Sequence, residues 1–446
     1  MIDLERFEKA LCNLPDGIKE AEISIESLAA YSVDISDGEF ADASYASSNE
    51  IFVRCSGDKT GYYYTQDLNE DVYEMLINAY RNGFAAEDQK IEYLNGKSDF
   101  ISECESCVDD FEKLRKHLRD YYERIKAVFL DYGVEATLIA KNIGISVMNS
   151  KGLKASNIKP LYVLKVSINA DKDGYPIYVN TDRACKNLDG FDFEELLEEL
   201  RERTDSQSKP LDKFESGEYR VIFAKNFAYF LCCTAWQLFS GKKYLENATA
   251  LKELFGRKIS DVELNISDMK DLTYDFKIDT EGTIAQDVKL VEDGYFKNLM
   301  NNSGVSHELG ATNNGCAGRK PLLFGNIATD IQIVPRNFII ENGSYAYDEL
   351  LNKLNNGIVL LEHYDVFHSL DISSGNFQIP ALGYLVQNGQ KVGNLHALVV
   401  SGNIVDIFRN IEGLSNRMAL RPMHYLDNYG IGTPDILVSR CQVAGE

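Results

Sequence analysis

The chain has 446 residues, a formal net charge of −23, 44% hydrophobic and 26% charged residues. That length exceeds what one hydrophobic core organises, so two or three domains are expected. The acidic balance speaks against direct binding to a phosphate backbone, since the sequence contains no compensating basic patch.

The nine cysteines are odd in number and scattered, which fits reduced thiols better than a disulfide framework. The first residues, Met1-Ile2-Asp3-Leu4-Glu5, show neither a basic nor an apolar leader pattern, and no segment has bilayer-spanning length. A cytoplasmic, non-membrane protein is the expectation.

Residues 3–12 read as a short helix with Leu4, Phe7 and Leu11 on one face. Strand-like runs follow at 21–26, 29–35, 39–46 and 50–55, with Asp37-Gly38 as a hairpin turn. Another strand spans Gly61 to Thr65. Asp67 to Glu70 has capping-box spacing ahead of a helix that ends at Gly83. Residues 85–106 form a polar connector. A long amphipathic helix is predicted over 108–130, then strands at 134–140, 143–149, 160–170 and 175–180, then a charged helix from Asp192 to Arg203. The order helix, strands, helix occurs twice, a pattern compatible with duplication of one α/β unit.

Residues 204–217 are polar, contain Pro210 and read as a linker. A strand at Tyr219–Phe223 follows, then a polar turn at Lys225-Asn226. A helix from Phe227 to Phe239 is apolar on every side and therefore buried. Gly241, before Lys242 and Lys243, reads as its stop. A further helix is placed at about 248–256. From 261 onward strands joined by Asn-Gly and Asp-Gly turns dominate, with short helices near 346–354 and 402–410. The fold class is α+β. Two α/β sub-units (1–106 and 107–205) and a linker (206–217) precede a C-terminal β-rich domain (218–446) around the buried helix.

Few motifs carry chemistry. Cys104-Glu105-Ser106-Cys107 is a single pair with no histidine nearby, whereas a structural zinc needs four soft ligands. The glycine-rich loop Gly310–Lys320 has Cys316 where a phosphate loop requires lysine, so it reads as a ligand-facing loop. Cys316 with His307 upstream has the composition of a thiol–base pair, against the plainer reading of an unreactive loop thiol. The six histidines show no two-ligand helical spacing. Cys232, Cys233, Thr234 and Gln237 in the buried helix are explained by packing alone.

Taken as an ordered set, several stretches resemble the TldD/TldE (PmbA) family, once labelled modulators of DNA gyrase. They are 219–245, Thr283–Val288 with Glu292-Asp293-Gly294, the 310–319 loop, Ser374–Gln378, Tyr384–Gly389, Val400–Ile404 and Thr433–Leu437. The resemblance implies a cytoplasmic two-subunit peptidase acting on unfolded or extended peptides. Its TldD-type subunit holds zinc through a His-Glu-x-x-x-His helix and a later cysteine; its TldE-type subunit lacks that metal site. An ungapped match puts Cys233, Thr234 and Leu238 on the three motif positions. No histidine occurs from Lys154 to Ser306 and no cysteine between Cys316 and Cys441. The resemblance therefore implies the TldE/PmbA type, with no metal or cofactor of its own, no nucleic-acid partner, and a TldD-type subunit or a second copy as companion. Asn313, Asn314, Arg319, Gly375, Asn376 and Phe377 are its candidate peptide-binding residues. The alternatives are a stand-alone thiol hydrolase using Cys316 or Cys233, and a peptide-binding homodimer without catalysis.

Overall fold

The computed structural model describes residues 4–85, 94–96, 99–102, 110–274, 277–319, 331–365, 368–424 and 426–445. The Cys104–Cys107 pair and Lys320 lie outside these residues.

The N-terminal half contains α1 (Leu4–Cys12), β1 (Glu20–Ser36), β2 (Glu39–Ser56), β3 (Thr60–Thr65), α2 (Val72–Gly83) and β4 (Asp99–Ser102). It continues with α3 (Phe111–Lys126), β5 (Gly133–Asn149), β6 (Lys154–Lys172), β7 (Tyr175–Cys185) and α4 (Phe193–Ser206). Asp37 and Gly38 both adopt positive φ, 48° and 82°, as a two-residue hairpin turn requires. The four short runs expected on either side of this turn are two long strands. Polar residues at Ser27 and Ser47–Asn49 do not interrupt them, because the backbone ladder continues there, with Ser27 opposite Asn49 and Leu28 opposite Ser48.

β1 also pairs antiparallel with β5, from Glu22 opposite Asn149 to Ser36 opposite Glu135. The strands of stretches 1–106 and 107–205 thus share one sheet, seven-stranded among the described residues. The succession helix, three strands, helix occurs as α1–β3–α2 and again as α3–β7–α4. Each helix pair has its own apolar core: Phe7, Leu11, Met75 and Leu76 in one, Leu114, Leu118, Leu196 and Leu200 in the other. Asp71, not Asp67, caps α2, accepting from the amides of Tyr73 and Glu74. Asp67 instead closes a local turn onto the amide of Asn69. α2 crosses β3 closely: a Cβ on Gly61 would lie 2.0 Å from the Ala79 carbonyl oxygen.

The C-terminal half begins with β8 (Gly217–Phe223), α5 (Lys225–Ala235), α6 (Gly241–Leu245), β9 (Ile266–Asp268), β10 (Val288–Glu292) and β11 (Tyr295–Phe296). It continues with α7 (Ser303–Leu309), β12 (Ala317–Gly318), β13 (Gln332–Ile333), β14 (Asn337–Ile340), α8 (Tyr347–Leu354) and β15 (Gly357–His363). It ends with β16 (Asn376–Gln387), β17 (Gln390–Asn403), α9 (Ile404–Arg409), β18 (Ile411–Met423) and β19 (Leu426–Ala444). Pairing runs β8–β15–β16–β17–β19, and β19 returns to β8, so these five strands close on themselves. α5 packs in the main core with Phe223, Phe227, Phe239 and Phe338, while Leu350 and Leu354 of α8 cover the opposite face. Each fully buried phenylalanine contributes on the order of 2–3 kcal/mol.

Three sequence expectations are corrected in this half. The buried helix begins at Lys225, not after a turn there, and gives way at Trp236 to a 3₁₀ turn ending at Phe239. Gly241 opens the short helix α6 instead of ending the preceding one; its Cβ would lie 2.2 Å from the Asn301 side chain, so close packing explains the glycine. The region 248–256 contains only a 3₁₀ turn at Lys252–Leu254.

Candidate functional site

α5 is placed by its first turn. Ala224 precedes it and offers no side-chain cap. One orphan amide is met from elsewhere in the fold: Asp435 Oδ1 accepts from the Lys225 amide at 2.9 Å. The Asn226 side chain donates to Leu361 O and Glu362 Oε2, both at 3.0 Å. The start of the helix is thereby tied to β15 and β19.

Around this turn lies a buried ionic network that joins the two halves. Arg183 of β7 donates to Glu195 and Glu199 of α4, and Arg203 of α4 donates to Glu199 and Glu362. Arg421 of β18 completes it, contacting Glu199 and Asn226. Burial opposes the ionised form of Glu199, but Arg421, Arg183 and Arg203 together outweigh it and hold the carboxyl well below its usual range. The sequence marks α4 only as a charged helix. Glu195, Glu199 and Arg203 recur every four residues on one face, a spacing shared by solvated helix faces, so it does not mark this one as buried.

Further along α5, Cys233, Thr234 and Leu238 are all buried. Burial pushes the Cys233 thiol up to about 12. The Cys233 carbonyl accepts from Trp236 Nε1 at 3.1 Å. Leu238 falls in the 3₁₀ turn, so it is not on a continuous α-helix with Cys233 and Thr234. His363 and His424 flank Phe230, with ring centroids 6.1 and 5.7 Å away. Burial lowers both imidazoles, His363 to about 4, so neither is suited to carry a proton at neutral pH. These residues do not fit a zinc ion. A protonated thiol, a threonine hydroxyl and an aliphatic chain supply neither a ligand set nor a carboxylate base. Among the described residues no group of three or more His, Cys, Asp or Glu is placed to hold a metal.

The 310–319 loop packs against the N-terminal sheet. Arg319 is 1% exposed, 3.4 Å from Glu22 of β1, with its guanidinium over Phe52. Arg54 of β2 bridges Glu22 and Glu281 beside it. Burial pushes Glu281 up to about 8 against the opposing pull of Arg54. Asn314 is buried, accepting from the Asn301 amide and donating to Leu299 O. Asn313 is half-buried and donates to Thr283 Oγ1 at 3.0 Å.

Cys316 is buried and donates to Asp268 Oδ2 at 3.3 Å, and burial raises its thiol well above the usual range. His307 is exposed on α7. Cys316 is buried with Asp268 as its partner, and neither Cys316 nor Cys233 has the environment of a nucleophile.

Gly375 adopts φ 77° where the chain turns into β16 beneath Ala250. Asn376 is exposed and accepts from Asn403, while Phe377 is buried against Gly402. No helix among the described residues is long and apolar enough to cross a membrane.

Comparison with known proteins adds to this geometry. Residues 216–445, just over half of the chain, match the PmbA/TldA metallopeptidase C-terminal domain. A metalloprotease of Archaeoglobus fulgidus is 25% identical over 380 residues, covering 79% of this chain and 82% of that protein. A zinc metalloprotease TldD homolog of Saccharolobus solfataricus is 24% identical over 402 residues, covering 86% and 87%. The crystal structure of TldE from Thermococcus kodakarensis superposes with a TM-score of 0.81 at 19% identity, covering 99% of both chains, a likeness of fold. The chain is a member of the PmbA/TldD metallopeptidase family.

Proposed function

We propose that the chain is a non-catalytic, PmbA/TldE-type subunit of a two-subunit peptidase complex that handles unfolded or extended peptides. The observation that carries this reading is the state of α5. In α5 and the 3₁₀ turn that follows it, Cys233, Thr234 and Leu238 stand where the resemblance expects His, Glu and His, and they are buried. A TldD-type companion would supply the metal chemistry, with a second copy of this chain as the other companion to test. Extended peptide binds by strand addition, in which backbone hydrogen bonds give affinity with little demand on sequence. Of the candidate peptide residues, exposed Asn376 and half-buried Asn313 are open to a ligand. Asn314, Arg319, Gly375 and Phe377 are buried and act from within, by shaping the backbone around them.

The test is metal analysis and peptidase assay of the purified chain, alone and with a TldD-type companion from the same cell. The expected result is substoichiometric zinc and no cleavage alone, with cleavage in the complex. Stoichiometric zinc together with peptidase activity from this chain alone would overturn the reading.

A further inference from the structure

β2 runs from Glu39 to Ser56, but β3 covers its outer side only over Ile51–Ser56. The stretch Glu39–Glu50 pairs with β1 on one side and, among the described residues, with no strand on the other. At about 3.4 Å per residue this open edge is about 40 Å long. Ala41, Asp42 and Ser44–Ser47 along it are exposed. The Ala43 amide donates to the carboxylate of its own neighbour Asp42 at 2.7 Å.

The far side of the sheet is treated differently. There β7 pairs only with β6, and the Gln207 side chain closes its edge at Tyr178, accepting from the amide at 2.7 Å and donating to the carbonyl at 3.0 Å. Pro176 removes another donor from the same strand. Glu39–Glu50 contains no proline and no lysine, the residues that usually blunt an edge. A long edge left open beside one that is blocked calls for another strand.

The sequence of the edge is complementary to itself. In an antiparallel pair with its twofold axis at Tyr45, Ala43 faces Ser47, Asp42 faces Ser48, Ala41 faces Asn49 and Phe40 faces Glu50, so no like charges stand opposite. An axis between Ser44 and Tyr45 would set Glu39 against Glu50, and an axis at Ala46 would set Asp42 against Glu50. Tyr45 is 53% exposed although it stands opposite Tyr31 of β1, with ring centroids 4.7 Å apart. A second Tyr45 across the axis would continue this aromatic row and cover its open end.

We propose that Glu39–Glu50 pairs antiparallel with the same edge of a second copy of this chain, joining two N-terminal sheets across a twofold axis at Tyr45. The same patch serves both copies, as a closed twofold contact requires. Backbone hydrogen bonds and the tyrosine row hold the pair, while the net charge of −23 on each copy opposes it. This pairing does not rest on the peptidase-complex reading.

Sedimentation velocity of the full chain tests the pairing, in reducing buffer over a hundredfold range of concentration at low and high salt. A reversible twofold rise in mass is expected, at lower concentration in high salt because screening weakens the repulsion. Ser48→Asp places a carboxylate against Asp42 of the second copy, twice per pair, and should weaken association about fivefold; Ser48→Lys should strengthen it about fivefold. Ser373→Asp and Ser373→Lys make the same charge changes at an exposed site in the C-terminal half and should move association less than twofold. Tyr45→Cys in a Cys12→Ser background should form a disulfide-linked dimer on mild oxidation, since facing strand positions lie within disulfide reach. Asp58→Cys in that background should not. Unchanged melting temperatures show that the variants remain folded. A chain that stays monomeric under all these conditions overturns the pairing and leaves the edge to a strand of another protein or a peptide. Equal effects at Ser48 and Ser373, or no cross-link through position 45, overturn it as well.

Discussion

Glu199 of α4 contacts Arg421 of β18, 222 residues away in the chain, and both are buried. The contact joins the end of the N-terminal half to the strand that runs beside α5. Replacing Arg421 with methionine would leave the arginine's share of the charge on Glu199 uncompensated while preserving volume. Loss of one partner from a buried pair costs about 3–5 kcal/mol. Urea unfolding of the Arg421→Met variant should show a fall of that order, and a change below about 1 kcal/mol would mean that Arg183 and Arg203 suffice.

Glu281 gives stability a pH dependence. Its value in the folded chain, about 8, lies above the ordinary 4.5, so the folded state holds the proton more tightly than the unfolded chain. Its contribution is full below about pH 4.5 and is lost as pH rises through about 8. Asp279, pushed up to about 6 by burial, acts with the same sign at lower pH. In Glu281→Gln the melting temperature should decline less between pH 5 and 8.5 than in the parent chain. Parallel profiles would remove Glu281 as the cause.

The thiols should separate by burial. Cys233, pushed up to about 12 from an ordinary 9.0, holds about a thousandfold less thiolate at neutral pH than an unperturbed thiol. Cys12 is exposed. Brief iodoacetamide treatment followed by peptide mapping should label Cys12 well before Cys233 or Cys316. Rapid modification of Cys316 in the folded chain would revive a thiol mechanism.

Gly61 and Gly174 make a paired test of steric and conformational cost. Gly61→Ala drives a methyl group into the Ala79 carbonyl and the Gly83 amide, and overpacking costs about 1–3 kcal/mol or more. Gly174 at φ 83° has open space around its Cβ, so Gly174→Ala carries only the left-handed backbone penalty, about 1–2 kcal/mol. Chemical denaturation should rank Gly61→Ala as the more damaging.

Helices with a clear apolar stripe were legible in the sequence. Leu4, Phe7 and Leu11 mark α1, and Leu114, Leu118 and Ile125 mark α3, because burial of one face imposes the period. The Asp37-Gly38 turn was legible because few residues tolerate that backbone. The merging of runs into β1 and β2 was not, since Ser27 and Asn49 pair through backbone atoms that are common to all residues. α7 was missed because Ser303–Leu309 is short and largely polar; its boundaries come from the Asn302 cap and from Gly310 at φ 62°. At the candidate site, the chemistry absent from α5 could be read from residue identity. The contacts of Glu199 with Arg421, of Glu202 with Tyr347 and Tyr384, and of Arg319 with Glu22 could not, because those partners lie more than a hundred residues away, and local sequence does not distinguish a buried charged face from a solvated one.

The return of β19 to β8 has a consequence for hydrogen exchange. Val438 opposite Val221 and Leu437 opposite Ile222 lie inside a closed circuit of strands, so their amides have no fraying edge. Their exchange should require opening of the whole C-terminal domain and report its global free energy. Removal of residues 436–446 should accordingly abolish cooperative unfolding of the domain, whereas loss of a peripheral strand would only trim it.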